Sequence, residues 1–76
     1  MTDVEIEYCV PCGFLERASD LAETLLSSLG EELDRVSLVT GDRGVFRVTV
    51  DGEVVFDKDE DDYDVGAIVR EVRAAT

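Results

Sequence analysis

The chain has 76 residues, 45% of them apolar, with 19 Asp and Glu against 7 Lys and Arg and a formal net charge of -12. That length allows one small domain over residues 1–76 with a modest core, and the apolar share argues against disorder despite the charge. So acidic a surface repels nucleic acid and anionic membranes, which are bound through basic patches, and no apolar run is long enough to cross a bilayer.

Residues 3–8 alternate, with Val4, Ile6 and Tyr8 on one face and Glu5 and Glu7 on the other, which predicts a strand buried on one side. Cys9 and Cys12 follow. Phe14, Leu15, Ala18, Leu21, Ala22, Leu25, Leu26 and Leu29 keep close to a helical period, predicting an amphipathic helix from about residue 13 to residue 29 with Gly30 as its stop. A second strand is expected over residues 35–40, with Val36 and Leu38 inward, then a glycine-rich turn over 40–44. Phe46, Val48 and Val50 alternate with Arg47 and Thr49 in a third strand over 45–50. Asp51-Gly52 is a two-residue hairpin signal, because both residues tolerate positive φ, and it leads into a fourth strand, Glu53–Asp57. After an acidic stretch, Asp64 is placed to cap a closing helix with Val65, Ile68, Val69 and Val72 as its stripe.

The order is βαβββα. A helical crossover makes the first two strands parallel, and the tight turn makes the last two antiparallel. Polar residues alternate on the first three strands, so both helices must cover one face of a four-stranded mixed sheet. The expected fold is a two-layer α/β domain with its other face in solvent.

The motif Cys9-Val10-Pro11-Cys12 stands between the first strand and the first helix. A disulfide across two intervening residues needs a turn-like backbone, and the loop it closes is too short to add much stability. Unpaired N–H groups at a helix start favour thiolate, and Pro11 suits a first helical turn, where its missing N–H is no loss. Such a pair can trade between dithiol and disulfide. Zinc is the competing use of this spacing, but it normally takes four ligands. With no histidine and no third cysteine, only a site shared between two chains could supply them. No cofactor or metal is expected.

Residues 4–15, reading VEIEYCVPCGFL, resemble the start of selenoprotein W-like proteins of the SelT/SelW/SelH group, the Rdx family. The resemblance continues through TGDRGVFRV at residues 40–48 and VDGEVVF at residues 50–56. It implies a thioredoxin-like fold with an exposed CxxC loop, a redox role and Cys9 and Cys12 as its working residues. The selenocysteine of the selenium-containing members falls where Cys12 stands. That correspondence favours Cys12 as the attacking thiol with Cys9 resolving, whereas thioredoxin logic favours Cys9. Pro11 is the only proline, so none can face the motif as in thioredoxins. No lysine or histidine stands near the cysteines in sequence, and Glu7 and Glu16 oppose ionisation, so modest thiol activation is expected.

Other features read as structural. Asp57, Asp59 and Asp61 resemble the start of a calcium loop, but Asp62 replaces its glycine and no glutamate closes it. Gly41 to Gly44 lacks the lysine and following helix of a phosphate loop and reads as a strand connection, with a substrate rim beside the cysteines as its functional alternative. Tyr8 is core by parity, and Phe14 is either core or part of a docking patch.

The expected function is thiol–disulfide exchange with protein thiols or disulfides, in a monomer reduced by a cellular thiol system. The rival is a non-enzymatic, redox-sensitive adaptor. A ubiquitin-like or sulfur-carrier role fits badly with a chain ending Ala74-Ala75-Thr76 rather than in a diglycine. The acidic, alternating start is the reverse of a secretory leader, so a cytoplasmic location is expected. Lys58 is the only lysine, and an acidic, lysine-poor surface is characteristic of salt-accumulating microbes, where ionic strength screens self-repulsion. Stability should therefore rise with salt; equal melting temperatures in dilute buffer and in molar KCl would remove the halophilic reading.

Overall fold

The sheet grows on both sides of β1 (Asp3–Cys9), in the order β2-β1-β3-β4. The computed structural model describes residues 2–60 and 63–76. β2 (Arg35–Gly41) runs parallel to β1, placing Val36 beside Val4 and Leu38 beside Ile6. β3 (Phe46–Val50) runs antiparallel on the other side, with Phe46 opposite Tyr8 and Val48 opposite Ile6. β4 (Glu53–Asp57) completes the hairpin through Asp51 and Gly52, whose φ values of 50° and 88° are those the two-residue turn requires.

α1 (Leu15–Leu29) and α2 (Val65–Ala75) cover one face. Ala18, Leu21, Leu25 and Leu29 from α1 meet Ile68 and Val72 from α2 over Val4, Ile6, Phe46 and Val48. Asp64 caps α2 as its position predicts, Oδ1 accepting from the Ala67 N–H at 3.2 Å. A bulge in β4 lets Phe56 pair with Val48 and Val54 with Thr49. The extra residue keeps Phe56 in the core and leaves Val54 51% exposed.

The opposite face is polar. Glu7, Arg47 and Asp57 stand in one row across three strands, with Arg47 3.5 Å from Glu7 and 3.3 Å from Asp57. Solvent-facing pairs of this kind contribute about 0–1 kcal/mol each, against about 1.5–3 kcal/mol for each large apolar side chain buried beneath the helices. The helix-covered face therefore carries the stability. Among the described residues no helix is long and apolar enough to cross a membrane.

Some expectations about the strands and the end of α1 need correction. β1 and β2 each run one residue further, to Cys9 and Gly41, because those two residues pair with each other. Leu38 lies on the helix side but is 41% exposed, since β2 is an edge strand only partly roofed by α1. Gly30 ends α1 in a right-handed conformation (φ −55°), not the left-handed one of a glycine cap, and a side chain there would meet the Leu26 carbonyl oxygen.

Phe46 is 1% exposed and packs against three other rings. Phe46→Ala is predicted to destabilise the domain by about 3–5 kcal/mol, a large part of the whole for a domain of this size. Urea unfolding should show the midpoint falling with little change in slope.

Candidate redox site

The motif hangs from the end of β1 between two backbone clamps. The Cys9 N–H donates to the Val45 carbonyl at 2.8 Å, and the Val10 N–H donates to the Gly41 carbonyl at 3.1 Å. The acceptors flank the β2–β3 connection, Gly41 ending β2 and Val45 preceding β3, so the glycine-rich segment holds the motif from either side. Its glycine at 41 is needed for space, because a Cβ there would lie 2.8 Å from Val45 Cγ1.

Val10, Pro11, Cys12 and Gly13 then form a turn closed by the Gly13 N–H on the Val10 carbonyl at 3.2 Å. Pro11 takes the second position, which its fixed φ suits, and Gly13 takes the fourth with φ +77°. That conformation is incompatible with a helix. α1 therefore starts at Leu15, two residues later than its apolar spacing suggests, and Pro11 belongs to the turn rather than to a helical turn. Cys12 consequently precedes the helix by three residues, and the helix-end field, which fades within a turn, acts on it less than the sequence implies.

Cys9 and Cys12 are joined as a disulfide with Cα atoms 5.3 Å apart. Cys9 is 0% exposed, whereas Cys12 is exposed. The predicted pair is thus brought together with one sulfur-bearing residue enclosed and the other at the surface.

A groove of about 490 Å³ opens beside Cys12. Phe14 forms one wall, Glu16, Arg17 and Asp20 of α1 another, and Tyr63 and Val65 the far side. Phe14 is half-buried, edge-on to Phe46 at 6.0 Å, so it belongs to both the core and the groove. The Arg17 guanidinium lies 4.7 Å from the Tyr63 ring centre and 5.2 Å from that of Phe14, while Lys58 Nζ lies 5.9 Å from Phe14. Such cation–π contacts are favourable where the cation is partly desolvated. Burial raises the Tyr63 pKa above its usual 10.0; Arg17 opposes the shift and Asp20 reinforces it. A larger depression, about 610 Å³, lies at the far end of α1 around Leu26, Gly30 and Arg73, away from both cysteines.

Sequence spacing overlooked Arg17, Lys58 and Tyr63. Arg17 stands three residues after Phe14, a helical neighbour spacing that could have revealed it. Lys58 and Tyr63 arrive only through the β3–β4 hairpin and the approach to α2. The calcium-loop residues Asp61 and Asp62 lie outside the described residues. Asp57 instead accepts the Asp59 N–H at 3.0 Å and pairs with Arg47, and that backbone hydrogen bond is the main reason its pKa is lowered from 3.8.

Fold and site together define a thioredoxin-like domain carrying a CxxC disulfide. The chain belongs to the Rdx family, which it matches over residues 3–74. It is similar to a protein of Bordetella parapertussis known from its crystal structure, with 34% identity and a TM-score of 0.92 over 99% of this chain and 98% of that one. A selenoprotein W-related protein from Vibrio cholerae has the same fold at 24% identity, with a TM-score of 0.90 over 97% of this chain and 95% of that one. No curated protein matches the chain.

In a Tyr8→Phe background, absorbance should show Tyr63 titrating above pH 10.0, and Arg17→Gln should move its midpoint higher still. An unchanged midpoint in the Arg17 variant would place the guanidinium away from the ring.

Proposed function

We propose that the protein is a thiol–disulfide exchange protein in which Cys12 reacts first and Cys9 resolves. The observation that carries this reading is the asymmetry of the pair: Cys12 is exposed at a surface turn, and Cys9 is wholly enclosed at the end of β1. In the reduced protein the Cys12 thiolate would attack a disulfide of a partner protein, forming a mixed disulfide and releasing one partner thiolate. The Cys9 thiolate would then attack the Cys12 sulfur, releasing the second partner thiolate and closing Cys9–Cys12. The partner gains two electrons and the domain loses two. A cellular thiol reductant would return the domain to its dithiol, which suits a single chain working in a reducing cytoplasm.

Thiol trapping across a glutathione redox series should show one two-electron transition between dithiol and Cys9–Cys12 disulfide. Alkylation separates the roles: Cys9→Ser should keep a fast-reacting thiol, and Cys12→Ser should react roughly tenfold more slowly, because thiol reactivity requires access. The reverse order would exchange the roles, and two rates equal to that of an unstructured cysteine peptide would strike the redox reading.

A second reading, a redox-sensitive adaptor, is favoured by the exposed apolar residues Val10 and Leu15 on either side of Cys12. Catalytic reduction of a small disulfide with a reductant present supports the exchange protein. Stoichiometric capture without turnover supports the adaptor.

A further inference from the structure

The surroundings of Cys12 carry information about which cysteines it could meet. Val10 is 50% exposed and Leu15 is 54% exposed, so apolar side chains flank the reactive turn on both sides. The groove that Cys12 lines also holds the exposed residues Glu16 and Asp20, four residues apart on α1 and therefore on one side of the helix. Neither carboxylate forms an ion pair within the described residues. Arg17 is the one cation in the groove lining, held over the rings of Phe14 and Tyr63, and Lys58, near the Phe14 ring, lies 4.0 Å from Asp59. The lining thus holds two carboxylates against one guanidinium, within a chain whose net charge is -12.

We infer that this groove docks a cysteine-bearing segment of a partner protein in which apolar and basic residues adjoin the cysteine. The inference rests on the exchange reading above and specifies its client. Apolar contact with Val10 and Leu15 would hold the segment over Cys12, and its lysines or arginines would meet Glu16 and Asp20. Complementary charge acts chiefly by accelerating encounter and by excluding partners of the wrong sign. An acidic segment would be repelled both by the groove and by the surface around it.

The test uses two peptides of equal length, each carrying one cysteine as a mixed disulfide with thionitrobenzoate. In one peptide the cysteine is flanked by leucine and lysines; in the other, by leucine and glutamates. Exchange with the reduced protein releases thionitrobenzoate and is followed by its absorbance. At low salt the basic peptide should react about tenfold faster or more, and the ratio should shrink toward unity near 1 M salt, where screening is nearly complete. The double variant Glu16→Gln/Asp20→Asn should lose most of that ratio. Glu31→Gln/Glu32→Gln removes the same charge at the far end of α1 and should largely keep it.

Fast but equal rates for the two peptides would overturn the inference while leaving the exchange reading intact. So would an equal loss of preference in both double variants, since net charge alone would then explain it. Rates for both peptides no faster than those of an unstructured dithiol peptide would overturn the exchange reading and the docking inference together.

Discussion

The ring of Phe46 lies buried among three other aromatic side chains, with Phe14 at 6.0 Å, Phe56 at 6.2 Å and Tyr63 at 5.5 Å, all close to perpendicular. Edge-to-face pairs add about 0.5–1.5 kcal/mol each beyond the area they bury. The larger consequence is positional. Phe46 sits on β3 beside β1, Phe56 comes from the hairpin partner, Phe14 leads into α1 and Tyr63 leads into α2. One ring thus fastens both helix entrances to the sheet. The turn bearing Cys12 is bounded by the clamped end of β1 and by Phe14, so its position depends on the same packing that holds the fold together.

Charge is arranged differently from apolar packing. The chain is strongly acidic, and four of its cations meet rings or carboxylates. Arg47 bridges Glu7 and Asp57 across the bare face, Arg35 meets Asp3 at 3.4 Å, and Arg17 lies over Tyr63 and Phe14. These exposed pairs are individually weak. They set positive charge beside carboxylates and rings in a chain whose net charge is -12.

Much of this organisation is legible in the sequence because it is local. The alternation of Val4, Ile6 and Tyr8, the period of Ala18, Leu21 and Leu25, the Asp51-Gly52 turn and the Asp64 cap each act through near neighbours. The cysteine pair was equally visible. The start of α1 was not, because the apolar period continues back through Phe14 while the backbone at Gly13 has already left helical space. Nor could local spacing show that Leu38 lies on an edge strand, since exposure there depends on the order of strands. The groove was hidden for the same reason: Cys12 and Tyr63 are distant in sequence and meet only after the sheet forms.

Lys58 gives the molecule an unusual chemical handle. It is the chain's single lysine, and its ammonium lies 5.9 Å from the Phe14 ring beside the cysteine turn. Apart from the α-amino group, every amine-directed fluorophore, crosslinker or surface-coupling reagent therefore has one side-chain target, next to the redox site. Attachment there would report on that site and alter it together, whereas a label introduced at the far end of α1 would leave it undisturbed.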